Sequence, residues 1–339
     1  MSNTHLLDIL IPTYKRASQV IVASNSAAKQ ICDFGLTSKV HISIVDDGSP
    51  NFSIRILQEN LAKWPIAISI KKNTVNKGMS LNILEMIKHS SAHFCTVLTD
   101  DDWMEEGSLV EIIEYLQIIK DKVNIGGIFT PRYSYIESGK LHCIVCAPFG
   151  EDKLINAGAV NSLKYCHNGF ILTGFIFRTC LTAKHEWGIN IENCWFPVIN
   201  FSSILFHQDI LFANKKWFHH TCLNKCYWER WGNNHLNQSR RLYRDYMNLI
   251  TDLADKASRS SMLRASKAII FYYQFYNYSQ RILAFSNHIG PSYLRWTMND
   301  VSPHTRKHPA FLLAWILSPR MLAASLISKW KKSLKKSVN

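Results

Sequence analysis

The chain has 339 residues, a formal net charge of +14 and nine cysteines at irregular spacing. This length exceeds the roughly 100–200 residues of a typical domain, so we expect one large domain with an appendage, or two domains. No apolar run approaches the ~20 residues that a membrane-spanning helix needs. The first residues also lack the pattern of a secretory signal peptide, so we expect a protein of the reducing cytoplasm that does not span a membrane.

The first hundred residues alternate between short β-type runs and longer helical patterns, which is typical of a parallel sheet in an α/β domain. The predicted strands are Leu6–Ile11, Val40–Val45, Ile66–Ile70 and Phe94–Leu98. The predicted helices between them are Gln19–Cys32, Ser53–Ala62 and Ser80–His89. From about residue 125 to 240 the pattern is less regular, and from about residue 240 onward it indicates helices.

Polar residues follow each predicted strand. They are Pro12-Thr13-Tyr14, Asp46-Asp47-Gly48-Ser49, the segment 73–78, and Asp100-Asp101-Asp102. The carboxyl ends of parallel strands share one edge of the sheet, where open α/β sheets bind their ligands. Neither GxGxxG nor GxxxxGK[ST] occurs, so neither a dinucleotide fold nor a phosphate loop is indicated. The three adjacent aspartates repel one another, so they are either spread over solvent at a turn or held together by a cation.

Histidines and cysteines raise the question of a zinc site. The candidates are Cys143, Cys146, His219, His220, Cys222 and Cys226. They lack the paired spacing of zinc ribbons and fingers, so buried cysteines and structural histidines are favoured.

Six short segments follow one another along the chain: IPTYKR (11–16), VDDGS (45–49), NKGMSLN (76–82), TDDDW (99–103), LTGFIFR (172–178) and HQD (207–209). In order and spacing they resemble the nucleotide-sugar-dependent glycosyltransferases of family 2, over roughly residues 5–235. The resemblance implies the α/β GT-A fold, with a mostly parallel central sheet flanked by helices. We therefore expect a glycosyltransferase domain at 1–239, whose nucleotide-binding half is 1–105 and acceptor-binding half 106–239, and a basic helical C-terminal region at 240–339.

The resemblance also implies a divalent metal, Mn²⁺ or Mg²⁺, at the aspartate run. A sugar nucleotide carries a diphosphate whose charge such a metal neutralises, with one or two carboxylates as its protein ligands. By resemblance Asp100 lies near the ribose and Asp101 or Asp102 holds the metal. The alternative for one aspartate is a solvated turn or a helix cap.

The nucleotide itself is expected among residues from three segments. By resemblance the pocket for base and ribose is lined by Pro12, Thr13 and Tyr14, and Asp47 accepts a hydrogen bond from the base. Asn76 and Gly78 are expected to border the nucleotide, since glycine allows close backbone approach. Arg16 either contacts phosphate or only lies on the first helix.

An inverting transfer is a single displacement, so it needs a carboxylate to remove the acceptor's proton and no enzyme nucleophile. By resemblance this base is Asp209, at the start of an expected helix DILFANKKW, with His207 and Asp152 as weaker candidates. The acceptor side is expected to include Thr173, Gly174, Trp228 and Arg230; for the aromatic residues a place in the core is the alternative.

The last twenty residues predict a helix on a membrane surface. Residues 240–339 contain 17 Lys and Arg against 4 Asp and Glu, whereas residues 1–239 contain 22 against 21. In 320–339 one helical face carries Leu322, Leu326, Trp330 and Leu334, with five lysines between 329 and 336. This pattern is typical of an interfacial helix on anionic lipid. No nucleic-acid motif accompanies the charge, and a solvated basic tail is the alternative.

Together these features predict an inverting glycosyltransferase, of the hexosyl- or N-acetylhexosaminyltransferase class. It would use a nucleotide-diphosphate sugar and a glycan acceptor, the latter lipid-linked, in surface polysaccharide biosynthesis on the inner face of the plasma membrane. Two alternatives are a sugar-phosphate nucleotidyltransferase and a non-catalytic membrane-surface binding protein of the same fold. Against the first, IPTYKR is not the Gly-rich, Arg-containing loop that such enzymes carry.

Deletion of residues 320–339 removes the apolar stripe and six positive charges. Because each lysine near an anionic surface contributes on the order of 1 kcal/mol, co-sedimentation with anionic vesicles should fall sharply. Binding of the full chain should also weaken as salt is raised. A variant with the five lysines changed to glutamine separates charge from the apolar stripe. Equal sedimentation of the full and truncated chains would contradict the prediction.

Overall fold

The computed structural model describes residues 5–50, 54–135, 141–145, 149–170, 172–184 and 196–221. All of them belong to the first of two compact units, residues 1–226. The predicted boundary at residue 239, the two halves and the C-terminal region therefore stay predictions. Within the described residues no helix is long and apolar enough to cross a membrane.

Strands and helices alternate through the first half of this unit. The strands are β1 (Leu7–Thr13), β2 (Val40–Asp46), β3 (Ile68–Lys72), β4 (Phe94–Val97), β5 (Trp103–Met104), β6 (Ile125–Phe129), β7 (Arg132–Tyr135), β8 (Leu141–Val145), β9 (Lys153–Ile155), β10 (Phe175–Arg178), β11 (Asp209–Phe212) and β12 (Phe218–Thr221). The helices are α1 (Ala17–Asp33), α2 (Ile54–Leu61), α3 (Met79–His89), α4 (Ser108–Ile119), α5 (Ala159–Tyr165), α6 (Thr179–Lys184) and α7 (Phe196–His207), with a 3-10 turn at Cys166–Phe170. The four predicted strands and three predicted helices are confirmed, with ends shifted by two residues at most.

Eight strands form the central sheet in the order β3-β2-β1-β4-β10-β6-β11-β9. Strands β1 to β4 are parallel, β10 is antiparallel to both of its neighbours, and β6 and β11 are parallel to each other. Strand β6 therefore points the same way as β4. A second sheet has the order β5-β12-β7-β8. The mostly parallel sheet with its flanking helices is the expected α/β GT-A architecture.

Helices cover both faces of the central sheet because successive side chains in a strand point to opposite faces. On one face, apolar residues of α1, α2 and α4 pack against alternate residues of β1 and β2 such as Ile9 and Ile42. On the other, α3 and α7 pack against Leu10, Val97 and Phe129. This burial leaves the two edges of the sheet, where strands end, as the places open to polar chemistry.

Helix α7 runs antiparallel to β6. The ring of Phe201 contacts Phe129, at the carboxyl end of β6, with 5.5 Å between ring centroids. Ile204, nearer the end of α7, packs against Gly126 at the amino end of β6, where no Cβ would fit. The first residue of α7, Phe196, therefore lies toward the carboxyl edge of the sheet, and its last residue lies at the amino edge.

Candidate active site

The aspartate run begins at the carboxyl end of β4, and the loop after β1 lies beside it. The Thr13 hydroxyl donates to Asp100 Oδ2 at 2.7 Å. One guanidinium nitrogen of Arg16, Nη1, donates to Asp100 Oδ1 at 2.7 Å and to Asp101 Oδ2 at 2.9 Å. Two of the three adjacent carboxylates are thus bridged by a cation that the protein itself supplies. Burial raises the pKa of Asp100, while the Arg16 charge and the Thr13 hydrogen bond oppose that shift.

The third carboxylate faces the second sheet. The side chain of Asp102 is fully buried, and His220 Nδ1, on β12, lies 2.9 Å from its Oδ1. Burial raises the pKa of Asp102, but the neighbouring His220, Thr173 and Thr99 side chains outweigh burial and hold that pKa below its usual range. Asp101 retains more exposure than Asp102, so the two candidate metal ligands have different environments.

Thr173 and Gly174 lie directly behind this turn, at the start of β10. The Thr99 backbone N–H donates to the Thr173 hydroxyl at 3.1 Å, and the Arg132 guanidinium donates to the Thr173 carbonyl. Gly174 has φ +102°, and a Cβ there would meet the buried Arg132 side chain at 3.1 Å. The structure therefore brings both residues next to the aspartates, while their acceptor role stays a prediction, and it adds Arg132 and His220, which the sequence did not assign to this site.

Two adjacent histidines on β12 contact the aspartate run and the segment that follows it. His219 Nε2 lies against a Glu105 carboxylate oxygen, and the His219 ring stacks on Trp103 with 5.0 Å between centroids. His220 binds Asp102 as described. The doublet His219-His220 was visible in the sequence as part of a possible zinc cluster, and that was the only signal for these contacts. Among the described residues, no three His, Cys, Asp or Glu side chains form a metal-binding group.

Asp47 holds the loop that was expected to border the nucleotide. Its Oδ1 accepts from the Lys77 backbone N–H at 2.9 Å, and its Oδ2 accepts from Gly78 N–H at 2.8 Å. Asn73 donates its side-chain amide to the same carboxylate at 2.9 Å. A Cβ on Gly48 would meet the Val75 backbone at 2.7 Å, so a glycine is required where the loops cross. Asn76 and Gly78 are therefore brought to the carboxyl edge by Asp47.

Asp209 is not brought to the aspartate run. The expected helix after HQD is wrong: Asp209 begins strand β11 and pairs with Ile125, at the amino end of β6. Its carboxylate accepts from the Ala157 N–H at 2.7 Å and from the Asn124 amide at 3.0 Å. Because β11 and β6 are parallel to β4, Asp209 lies at the amino edge, opposite to Asp100. The sequence DILF pairs with two neighbouring strands, which overrides the helical pattern.

The other two candidate bases lie apart from each other. His207 is the last residue of α7, at the amino edge. Asp152 precedes β9, at the carboxyl edge, where it accepts from Asn214 N–H at 2.7 Å and from the Tyr115 hydroxyl at 2.5 Å. Burial, followed by the hydrogen bond to Asp152, raises the pKa of Tyr115 to about 12. Trp228, Arg230 and the basic C-terminal helix lie outside the described residues.

The aspartate pair fits a hard divalent cation. Carboxylate oxygens are the ligands that Mg²⁺ and Mn²⁺ prefer, and Mg²⁺ is usually bound by one or two carboxylates with substrate phosphates. Asp100 and Asp101 supply such oxygens, and the Arg16 guanidinium stands where a cation is needed to offset their repulsion.

The mostly parallel sheet with carboxylates at its carboxyl edge has the GT-A architecture. Residues 8–176 match the sequence model described as Glycosyl transferase family 2, so the chain contains a family 2 glycosyltransferase domain. A comparison with curated proteins finds no match.

Two solved structures share the fold. The structure of S. aureus TarS has a TM-score of 0.65 at 15% identity, and the match covers 90% of this chain but 50% of that one. The chain thus spans half the length of that protein. S. aureus TarS 1-349 in complex with UDP-GlcNAc has a TM-score of 0.64 at 16% identity, covering 87% of this chain and 79% of that one.

The buried pair Asp102–His220 should contribute to stability. Removing one partner of such a pair leaves an uncompensated buried charge, so His220→Ala should lower the free energy of unfolding by about 3–5 kcal/mol. Asp102→Asn should cost less, since its amide oxygen can still accept from His220. Denaturant unfolding followed by fluorescence measures both. The exposed His89, on α3, provides the control His89→Ala, for which about 0.5 kcal/mol or less is expected.

The cost of His220→Ala should also depend on pH. Burial lowers the pKa of His220, but Asp102 outweighs burial and raises that pKa above 6.5. A raised histidine pKa stabilises the fold below the unfolded pKa, and this stabilisation is lost as pH rises through the folded pKa. The cost should therefore be larger at about pH 6 than at about pH 9. An equal cost at both values would contradict the charged pair.

Proposed function

We propose that this protein is an inverting glycosyltransferase that moves a sugar from a nucleotide-diphosphate sugar to a hydroxyl of a glycan in surface polysaccharide biosynthesis. The observation that carries the proposal is the pair Asp100–Asp101, held with Thr13 and Arg16 at the carboxyl edge of a family 2 GT-A domain. A lipid-linked acceptor, and a C-terminal helix that holds the enzyme at the inner membrane surface, complete the proposal.

The nucleotide is proposed to lie across the loops after β1, β2 and β3. Pro12, Thr13 and Tyr14 border this region, and the Tyr14 side chain is exposed enough to pack against a base or ribose. Asp47 already accepts three hydrogen bonds, but a carboxylate offers about four lone-pair positions, so one remains for a base N–H. The Asp47 loop contacts support this geometry, because they fix Asn76 and Gly78 beside it.

We propose Asp101 as the principal metal ligand and Asp102 as its anchor. Asp102 is fully buried and bonded to His220, so its oxygens face the protein interior, whereas Asp101 is the more exposed of the two. When bound, Mn²⁺ or Mg²⁺ supplies positive charge to the diphosphate as it leaves. Asp100 then remains with Thr13 on the ribose side, and the anchored Asp102 fixes the direction of Asp101.

The general base is proposed to be a carboxylate at the carboxyl edge, because it must reach the acceptor hydroxyl beside the donor. Asp209 lies at the amino edge, whereas Asp152, just before β9, lies at the carboxyl edge. Asp152 accepts hydrogen bonds from Asn214 N–H and from the Tyr115 hydroxyl, and its remaining lone pairs can accept a proton. We therefore propose Asp152 as the base.

The acceptor is proposed to approach beside the start of β10. Thr173 and Gly174 lie next to the aspartates there, held by Arg132. Trp228 and Arg230, which lie outside the described residues, remain proposed acceptor-side residues on the basis of the sequence alone.

Substitution of Asp101 and of Asp102 should have different effects on metal-dependent stabilisation by nucleotide. Asp101→Asn removes the proposed ligand, so the thermal stabilisation of the protein by UDP or GDP with Mn²⁺ should disappear. Asp102→Asn should retain most of it, because His220 can still hold the amide. Thermal shift over a panel of nucleotide sugars, with and without Mn²⁺, measures the effect, and release of nucleoside diphosphate reports turnover. An equal loss of stabilisation in both variants would contradict the assignment of Asp101 as the metal ligand and Asp102 as its anchor.

The base assignment is tested by a matched pair of variants. Asp152→Asn should retain donor binding and reduce kcat by about 10²–10⁴-fold, which is typical for loss of a general base. Asp209→Asn, the same chemical change at the opposite edge, should lower stability and leave kcat within a few-fold. The reverse result, a loss of kcat in Asp209→Asn alone, would return the role to Asp209.

A further inference from the structure

The Arg16 guanidinium occupies the position between Asp100 and Asp101 that a cation would take. Its Nη1 lies 2.7 Å from one carboxylate and 2.9 Å from the other. The carboxylate side chains are 6% and 8% exposed, and that of Arg16 is 27% exposed. Two carboxylates this close destabilise each other, and one guanidinium offsets that repulsion. The bridge therefore lies at the boundary with solvent, and the guanidinium is its most exposed member.

The backbone aims Arg16 at the carboxylates at a conformational cost. Lys15 has φ +59°, the only non-glycine residue with positive φ in the described part of the chain. Such a conformation is uncommon for a residue with a side chain, and at a binding site it indicates a constraint. It is held by the Lys15 N–H, which donates to Ser49 Oγ at 2.7 Å, while Ser49 N–H donates to Asp46 at 2.8 Å.

The position of Arg16 at a helix start adds to this picture. Arg16 immediately precedes α1, a helix of 17 residues with no acidic residue in its first turn. The positive end of a helix favours an anion and disfavours a cation. A guanidinium at this point is therefore not stabilised by the helix end itself, and it would gain a partner if an anion bound beside the helix start.

We propose that Arg16 exchanges partners during the binding of the donor. Without nucleotide it bridges Asp100 and Asp101 in place of a divalent cation. When the metal and the diphosphate bind, Asp101 is taken over by the metal and the guanidinium pairs with a diphosphate oxygen, next to the start of α1. This inference rests on the proposed function, and it deepens it by giving Arg16 two roles with opposite effects on two ligands.

The exchange predicts opposite changes in two affinities. Mn²⁺ alone must displace Arg16 from Asp101, so loss of the guanidinium should tighten the binding of Mn²⁺ alone. The diphosphate gains the guanidinium, so the same loss should weaken nucleotide binding in the presence of Mn²⁺. A residue that only stabilises the fold would change both affinities in the same direction or neither.

The experiment compares the full-length chain with Arg16→Gln. Binding of Mn²⁺ alone is followed by electron paramagnetic resonance of the free ion, and binding of UDP and GDP at saturating Mn²⁺ by calorimetry. We expect Mn²⁺ alone to bind about tenfold tighter in Arg16→Gln, since two close carboxylates lose their cation. We expect the better of the two nucleotides to bind about tenfold more weakly, because a charge-assisted hydrogen bond is lost. Circular dichroism verifies that the variant is folded.

Lys15→Gln is the matched control. It removes the same charge from the neighbouring residue, whose Nζ lies 4.9 Å from the Tyr14 ring centroid. Simple long-range electrostatics would make Lys15→Gln resemble Arg16→Gln, whereas the exchange predicts a much smaller tightening of Mn²⁺. Arg16→Lys, which keeps the charge without the planar fork, should restore the weak binding of Mn²⁺ alone and restore nucleotide affinity only in part.

Two results would overturn the exchange: weaker or unchanged Mn²⁺ binding in Arg16→Gln, or unchanged nucleotide affinity at saturating Mn²⁺. If the proposed function is wrong, a different result is expected: the wild-type chain will bind neither UDP nor GDP in the presence of Mn²⁺. In that case the second half of the exchange falls with the proposed function, and the Mn²⁺ measurement still decides whether Arg16 stands in for a cation.

Discussion

The site depends on one constraint: the three adjacent carboxylates of the aspartate run are divided between two environments. Like charges at neighbouring positions repel one another. Asp100 and Asp101 pair with Arg16 on one side of the turn, and Asp102 pairs with His220 on the other side. The turn is thereby held in one orientation, with one pair of carboxylates toward the proposed nucleotide region and the third toward the interior.

The second sheet supplies residues that hold the aspartate run in place. Strand β12 provides His219 and His220, and β7 provides Arg132, which holds the Thr173 carbonyl behind the turn. A buried polar network of this kind is stable only when its members are bonded to one another, and then it fixes a single geometry. The residues that support the aspartates thus come from parts of the chain that are distant in sequence from residues 100–102.

The loops at the carboxyl edge are connected to each other in the same manner. Asp47 accepts from the backbone of Lys77 and Gly78, and Ser49 accepts from Lys15. Each loop therefore depends on its neighbour for its conformation. A substitution in one loop is expected to alter the others, which is why conservative pairs such as Asp to Asn are more informative here than alanine substitutions.

The sequence by itself determined the strands, the helices of the first hundred residues and the polar edge, because hydrophobic period and turn residues are local properties. It did not determine which aspartate faces which partner, since His220 is 118 positions from Asp102 and only folding brings them within 2.9 Å. Asp209 is the opposite case, in which a local pattern predicted the wrong element. The segment HQD matched a helical motif locally, but pairing with β6 and β9 makes DILF a strand and carries the carboxylate to the opposite edge. Long-range pairing decided both outcomes, and no local pattern records it.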